Sequence, residues 1–176
     1  MPRASLALRS ATASDATKLH AIICANLEEG HLLPRTLDEL TVHVDRFVVA
    51  VKARRIIGCA ELAPLSAQVA EVRSLAVDGK ARGSRVGVMI VDELRRRARR
   101  EGFEKLCAFT HAPGYFIHMG FSIVPHLWLT EKIFTDCVKC PHFQQCGQYA
   151  MVVPLDVAFD AERGYGLPAA AAAPLA

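Results

Sequence analysis

The sequence predicts one mixed α/β domain, and three features carry that prediction. Short apolar runs of strand character alternate with segments of helical spacing. A glycine-containing loop, Arg82 to Gly87, joins the longest strand to the most amphipathic helix. The 176 residues are 52% hydrophobic and 22% charged, which suits a single core and excludes an intrinsically disordered chain.

Taken in order, Leu6-Ala7-Leu8 reads as a first strand. Thr12 and Ser14 are candidate caps for a helix whose apolar positions Leu19, Ile22, Ile23 and Leu27 follow helical spacing, and Gly30 stops it. Thr36 and Glu39 have the capping-box spacing and open a second helix through Val44. Phe47 to Val51 is a strand, Lys52 to Arg55 a turn, and Ile56 to Leu62 the hairpin partner. A loop with Pro64 leads to the strand Val69 to Val77.

The helix that follows has Val86, Met89, Ile90, Leu94 and Ala98 as its buried stripe. Asp92 with Arg96 and Glu93 with Arg97 are surface pairs in the favourable acid-first order, and Gly102 ends the helix. Leu106 to Thr110 is a strand, Tyr115 to Met119 one helical turn, Phe121 to Val124 a strand, Glu131 to Cys137 helical, and Tyr149 to Leu155 the last strand. The domain spans 1–157, with a cysteine-containing segment at 136–147; residues 158–176, rich in alanine and proline, read as a tail.

The net charge of +3 is too slight to predict nucleic-acid binding. Arg95, Arg96, Arg97, Arg99 and Arg100 fall in the last half of a helix, where cations suit its dipole, so a solvated face is expected rather than a nucleic-acid contact. Met1 to Ser10 lacks the apolar stretch of a signal peptide, and no run approaches the ~20 apolar residues that cross a bilayer. Six cysteines without a secretory signal imply reduced thiols and a cytoplasmic protein with no membrane partner. A homodimer is compatible with the sequence, which does not specify oligomeric state.

The loop before the long helix has the chemistry of an anion cradle. A helix N-terminus offers unpaired N–H groups and partial positive charge, glycines let the backbone come close, and Arg82 and Arg85 add charge. A plain strand-to-helix turn with two glycines is the competing reading. Here the chain resembles the GNAT acetyltransferases, whose signature loop runs Arg or Gln, two residues, Gly, one residue, then Gly or Ala. Arg82 and Gly87 match its ends and Gly83 a common variant, while Arg85 stands where the family usually has its central glycine.

The resemblance covers roughly residues 5 to 155. It implies a mostly antiparallel, splayed central sheet with helices on both faces and acetyl-CoA bound at the splay. The implied cofactor contacts are Leu75, Ala76, Val77, Arg82, Gly83, Ser84, Arg85, Val86, Gly87 and Phe116. Phe116 stands where a tyrosine often serves the family as acid to the leaving thiolate, with Tyr115 one place earlier, so no acid is assigned.

Amide formation needs a neutral amine, so a general base is sought. Glu71 alternates with Arg73 and Leu75 on one face of the strand before the loop and is the candidate, with Glu61 on the neighbouring strand as understudy. A surface carboxylate paired with Arg73 is the alternative for Glu71. Upstream, Asn26 to Arg35 resembles the segment that bacterial N-acetylglutamate synthases place over their amino-acid pocket, and so do the strand Ala70 to Val77 and the stretch Glu131 to Cys137. The resemblance implies glutamate as acceptor, in a short form without the amino-acid-kinase-like domain of longer synthases.

A bidentate guanidinium suits a carboxylate, so Arg35 is the first candidate to hold the substrate, Arg73 the second, and Ser74 a hydrogen bond near the amine. For Arg35 the alternative is a solvated arginine after a proline. At the level of function, another amine acceptor or a non-catalytic CoA-sensing or metal-linked module remains open.

Cys137, Cys140 and Cys146 place three thiols in ten residues. The first two have zinc-knuckle spacing, with His142 or His126 as a fourth ligand, but no second tight pair follows. Three reduced or redox-labile thiols are the preferred reading over zinc. Cys24, Cys59 and Cys107 lie in apolar stretches and read as core.

Overall fold

The computed structural model describes residues 5–27 and 32–155 of the 176. Their strands are β1 (Leu6–Ser10), β2 (Phe47–Lys52), β3 (Arg55–Pro64), β4 (Val69–Val77), β5 (Lys105–Thr110), β6 (Ser122–Val124) and β7 (Tyr149–Pro154). All seven form one sheet in the order β1-β2-β3-β4-β5-β7-β6. Neighbours are antiparallel except β4 and β5, which run parallel because α3 (Val86–Arg100) carries the chain across between them. The other helices are α1 (Ala16–Leu27), α2 (Leu37–Val42), α4 (Pro113–Ile117) and α5 (Thr130–Thr135).

Strand periodicity explains the two-sided core. Along β2, Val48 and Ala50 join the cluster under α3, while Phe47 and Val49 join the cluster under α1 and α2. In β5 and β7, Leu106, Ala108, Met151 and Val153 face the α3 side, and Cys107 and Ala150 the other, where Leu129 covers them. Both faces are covered, so these strands read as nearly unbroken apolar runs. Cys59 and Cys107 are core residues, and burial pushes the Cys59 thiol up to about 12. Cys24 is only half-buried, with its sulfur 3.6 Å from His20 Nε2, so the core reading fails for it.

Gly58 sets how closely α3 approaches the sheet. A Cβ there would lie 2.9 Å from Ile90 Cδ1 and 3.1 Å from Val86 Cγ1, so a larger residue would force these side chains to shift.

Several local readings are corrected. Met89 is exposed, and Val91 takes its place in the buried stripe, because α3 lies over the sheet with Val86, Ile90, Val91, Leu94 and Ala98 inward. Glu93 pairs with Arg96 and Arg100, and Arg97 with Glu101, in place of the expected Asp92–Arg96 and Glu93–Arg97 pairs. Arg95 is not part of a solvated face: it donates to the Met119 carbonyl and lies 5.4 Å over the Phe121 ring. The α2 capping box is present, but α2 ends at Val42, and a 3-10 turn over Val44–Arg46 follows. The helix expected through Cys137 ends at Thr135, and a 3-10 turn begins at Cys137. The Gly30 stop and the 158–176 tail lie outside the described residues.

Thr12 is the N-cap residue of the 3-10 turn Ala13–Asp15 that leads into α1, and it forms a capping box with Asp15. Asp15 is buried and accepts from Arg9 at 2.7 and 3.1 Å, from the Thr12 N–H at 2.9 Å and from the Thr12 hydroxyl at 3.0 Å. Ser14 lies inside that first turn rather than capping it. The hydrogen bonds from Arg9 hold the Asp15 carboxyl far below its ordinary range, outweighing the burial that acts against them. A depressed folded-state pKa contributes stability that is complete above the unfolded value and is lost as pH falls. Asp15→Asn is therefore expected to lower stability at neutral pH and to flatten its decline below about pH 4, read by urea unfolding across that range.

Candidate active site

The site is built where two parallel strands part. Only Val69, Ala70 and Glu71 of β4 pair with β5, opposite Lys105, Leu106 and Cys107. Beyond Glu71, β4 runs on to Val77 paired with β3 alone. The expected splay is thus present, and its apex is at Glu71. On the β3 side, Cys59 opposes Ala76 and Glu61 opposes Arg73, so Ala60 faces both Ser74 and Leu75. This is a β-bulge, and it holds Ser74 at φ 53°, a left-handed conformation unusual for a serine. A bulge bends the strand that carries it, and this one lies just past the point where pairing with β5 ends.

A chain of charges fills the same face beside the apex. Arg35 Nη1 donates to Glu61 Oε2 at 2.8 Å and to Ser74 Oγ at 3.2 Å. Arg73 donates to Glu71 Oε2 through Nε at 3.1 Å and Nη2 at 2.6 Å, and its Nη2 also reaches Asp136. Lys132 Nζ lies 2.9 Å from each Glu71 oxygen and 2.7 Å from Asp136 Oδ2, with the Phe109 ring 5.3 Å beneath it. Glu61 and Glu71 are buried, at 1% and 4% exposure. Glu71 is therefore paired with Arg73, as the alternative had it, but it is no surface group, and a second cation shares it. Arg35 is not solvated either, since its side chain is only 12% exposed.

The electrostatics follow from these contacts. Burial acts to lower the Arg73 pKa, but the charge and hydrogen bonds of Glu71, with Asp136 and Glu61 beyond, raise it. Burial acts to raise the Asp136 carboxyl, and the Lys132 hydrogen bond with the charges of Arg73, Lys132 and Arg35 brings it below its usual value. Lys132 and Asp136 carry no role in the sequence reading. Their i,i+4 spacing marks them as a helix pair, but nothing local shows that α5 folds back over β4.

The loop before α3 has the expected backbone. Gly83 has φ 75° and Arg85 φ 63°, so the position where related loops carry glycine is left-handed here with a side chain attached. Arg85 caps α3, and its carbonyl accepts the Met89 N–H at 3.0 Å. Ser84 hydrogen-bonds the Ala81 carbonyl. Arg82 turns to α1, donating to Asn26 Oδ1 at 3.0 Å, a partner the sequence did not reveal. Val86 and Gly87 form the first turn of the helix.

Tyr115 lies over that turn. A Cβ on Gly87 would collide with its hydroxyl, so a side chain there would displace Tyr115. Burial, with the charge of Asp92 adding to it, pushes the Tyr115 hydroxyl up to about 12. Phe116 instead packs inward, edge-on to Tyr115 at 5.4 Å and to Phe121 at 5.1 Å. Among the described residues no group of three or more His, Cys, Asp or Glu is arranged to hold a metal, the thiols Cys137, Cys140 and Cys146 included. Likewise, none of their helices is long and apolar enough to cross a membrane.

Residues 16–121 match the model of the Acetyltransferase (GNAT) family. The chain is 31% identical over 155 residues to an uncharacterised N-acetyltransferase of Chlorobaculum tepidum, covering 88% of this chain and 100% of that protein. It is 31% identical over 116 residues to an amino-acid acetyltransferase of Pectobacterium carotovorum, covering 65% of this chain but only 26% of that protein. The fold is similar to that of N-acetylglutamate synthase from Neisseria gonorrhoeae complexed with coenzyme A and N-acetyl-glutamate. The TM-score is 0.78 at 24% identity, over 87% of this chain and 36% of that one. A Mycobacterium tuberculosis protein in complex with CoA gives 0.72 at 22% identity, over 84% of this chain and 98% of that one.

The left-handed Arg85 yields a prediction. Such a conformation costs an L-residue about 1 kcal/mol, partly offset by the larger entropy that glycine loses on folding. Arg85→Gly is expected to leave the fold intact and to raise stability by up to about 1 kcal/mol in urea unfolding.

Proposed function

Since the chain belongs to the GNAT acetyltransferase family, we propose that it moves the acetyl group of acetyl-CoA to the α-amine of L-glutamate. One observation carries the choice of acceptor: Arg35, Arg73 and Lys132 converge beside the parting of β4 and β5. Three cations at one apex suit an acceptor with two carboxylates. The relatives named above support the same reading, since one is an amino-acid acetyltransferase and another was solved with N-acetyl-glutamate.

In this reading the diphosphate lies against the loop from Arg82 to Gly87, where the first N–H groups of α3 are free of helical partners. Leu75, Ala76 and Val77 flank the acyl arm, and backbone N–H groups past the bulge polarise the thioester oxygen. Phe116 backs this wall through its contact with Tyr115.

Glu61, Glu71 and Asp136 meanwhile occupy the cations that the substrate's carboxylates would use. Glutamate binding draws Arg35 from Glu61 and Arg73 from Glu71, with Ser74 retained beside the amine. A Glu71 oxygen then takes the ammonium proton, directly or through water, and the neutral amine attacks the thioester in a ternary complex. The tetrahedral intermediate collapses to the amide and the CoA thiolate. The cytoplasm supplies both glutamate and acetyl-CoA to this activity.

An acceptor screen with release of CoA thiol as readout tests the reading. Glutamate is expected to exceed other amino acids and polyamines in kcat/KM, and a better non-acidic acceptor overturns it. Glu71→Gln is expected to lower kcat by about 100-fold or more while acetyl-CoA still binds by calorimetry. Arg35→Ala is expected to raise the KM for glutamate by about tenfold or more, with a smaller change in kcat, and unaltered values remove each residue from its role.

A further inference from the structure

Three thiols lie outside the machinery above, on the chain that follows α5. Cys137 begins the 3-10 turn Cys137–Lys139, and the Cys140 N–H donates to the Cys137 carbonyl at 3.0 Å. A turn closed between residues i and i+3 keeps their Cα atoms within about 7 Å, and disulfides bridge Cα atoms about 4.4–6.8 Å apart. The Cα spacing that such a turn allows overlaps the range a disulfide spans. Cys137 and Cys140 are both half-buried and reduced, and Cys146 is exposed.

The residue before this turn joins it to the charge cluster. Asp136 accepts from Lys132 at 2.7 Å and from Arg73, the two cations that hold Glu71. Asp136 and Cys137 share a peptide bond, so a constraint on the turn is a constraint on that carboxylate.

We propose that Cys137 and Cys140 form a thiol–disulfide site, oxidised by low-molecular-weight disulfides, in which the ion pairs of Asp136 pre-set the turn that closes. Burial pushes the Cys137 thiol up against the opposing charge of Lys132, with Cys146, Asp136 and Cys140 adding to the rise, which makes it a poor first nucleophile. Cys140 attacks as thiolate on one sulfur of the oxidant, forming a mixed disulfide and releasing one small thiol. Cys137 then attacks the Cys140 sulfur and expels the second small thiol. Two protein thiols are oxidised, the oxidant is reduced to two thiols, and the two protein protons end on them.

The test is equilibration of the full chain in glutathione buffers of graded ratio, acid quenching, alkylation of remaining thiols and mass analysis of the peptide holding all three cysteines. A species lacking two alkyl groups is expected in the wild type, retained in Cys146→Ser and lost in both Cys137→Ser and Cys140→Ser. Full alkylation at every ratio overturns the site, as does a bond that requires Cys146. Asp136→Asn is expected to lower the equilibrium constant for closure about threefold or more, because the turn is no longer held. An equilibrium constant equal to the wild type's overturns the link to Asp136. None of these readouts depends on the acceptor or on turnover.

Discussion

Three register pairs join β4 to β5, and where they stop the sheet opens. A parallel pair separated by a helical crossover has no hairpin to force it together, so its length is set by what else β4 must satisfy. The bulge at Ser74 and Leu75 gives that strand a new direction while β3 follows it, and β5 cannot follow because β7 holds it along all six of its residues. Opening the sheet is therefore a contest between two antiparallel partnerships, each longer than the parallel one. The backbone amides past the parting face a gap instead of a neighbouring strand.

The charges at the apex are mostly withdrawn from solvent. Glu61 and Glu71 are almost fully buried, which without partners would be prohibitive. Arg35, Arg73 and Lys132 neutralise them, and Asp136 closes the chain at its half-exposed end. Removing one member of such a set costs about 3–5 kcal/mol in well-buried cases, because the survivor is left unpaired. An incoming carboxylate gives the cation it takes a new partner, and the acid it displaces keeps a second cation: Glu71 keeps Lys132 at 2.9 Å and Glu61 keeps Arg46 at 3.9 Å. In the proposed reading, the cluster is a carboxylate site already occupied by the protein's own acids.

Periodicity made most of this fold readable. The apolar runs of β2, β5 and β7, the Thr36 capping box and the stripe of α3 all appear where the sequence put them, apart from Met89. What was not readable depends on contacts far apart in the chain. Glu71 meets Lys132 across 61 positions, and Arg82 meets Asn26 across 56. No local spacing encodes such pairs. Arg73 alternates with Glu71 and was visible as its partner, but burial was not, since a two-residue spacing on a strand is the same inside and out. Lys132 stayed hidden because α5 has only six residues, too few for its buried side to show in periodicity.

The start of α3 shows how packing can replace a local rule. A loop with glycine at its central position reaches the left-handed conformation without steric strain, whereas here Arg85 reaches it with a side chain. The strain is tolerable because the helix is fixed from other directions. Gly58 lets Val86 and Ile90 sit down on β3, and Tyr115 limits the space above Gly87. With both faces of the first turn held, the residue before it has no freedom to relax toward an ordinary dihedral. The amides at the head of α3 owe their direction to the core beneath them, and the missing glycine changes the energy of the loop more than its shape.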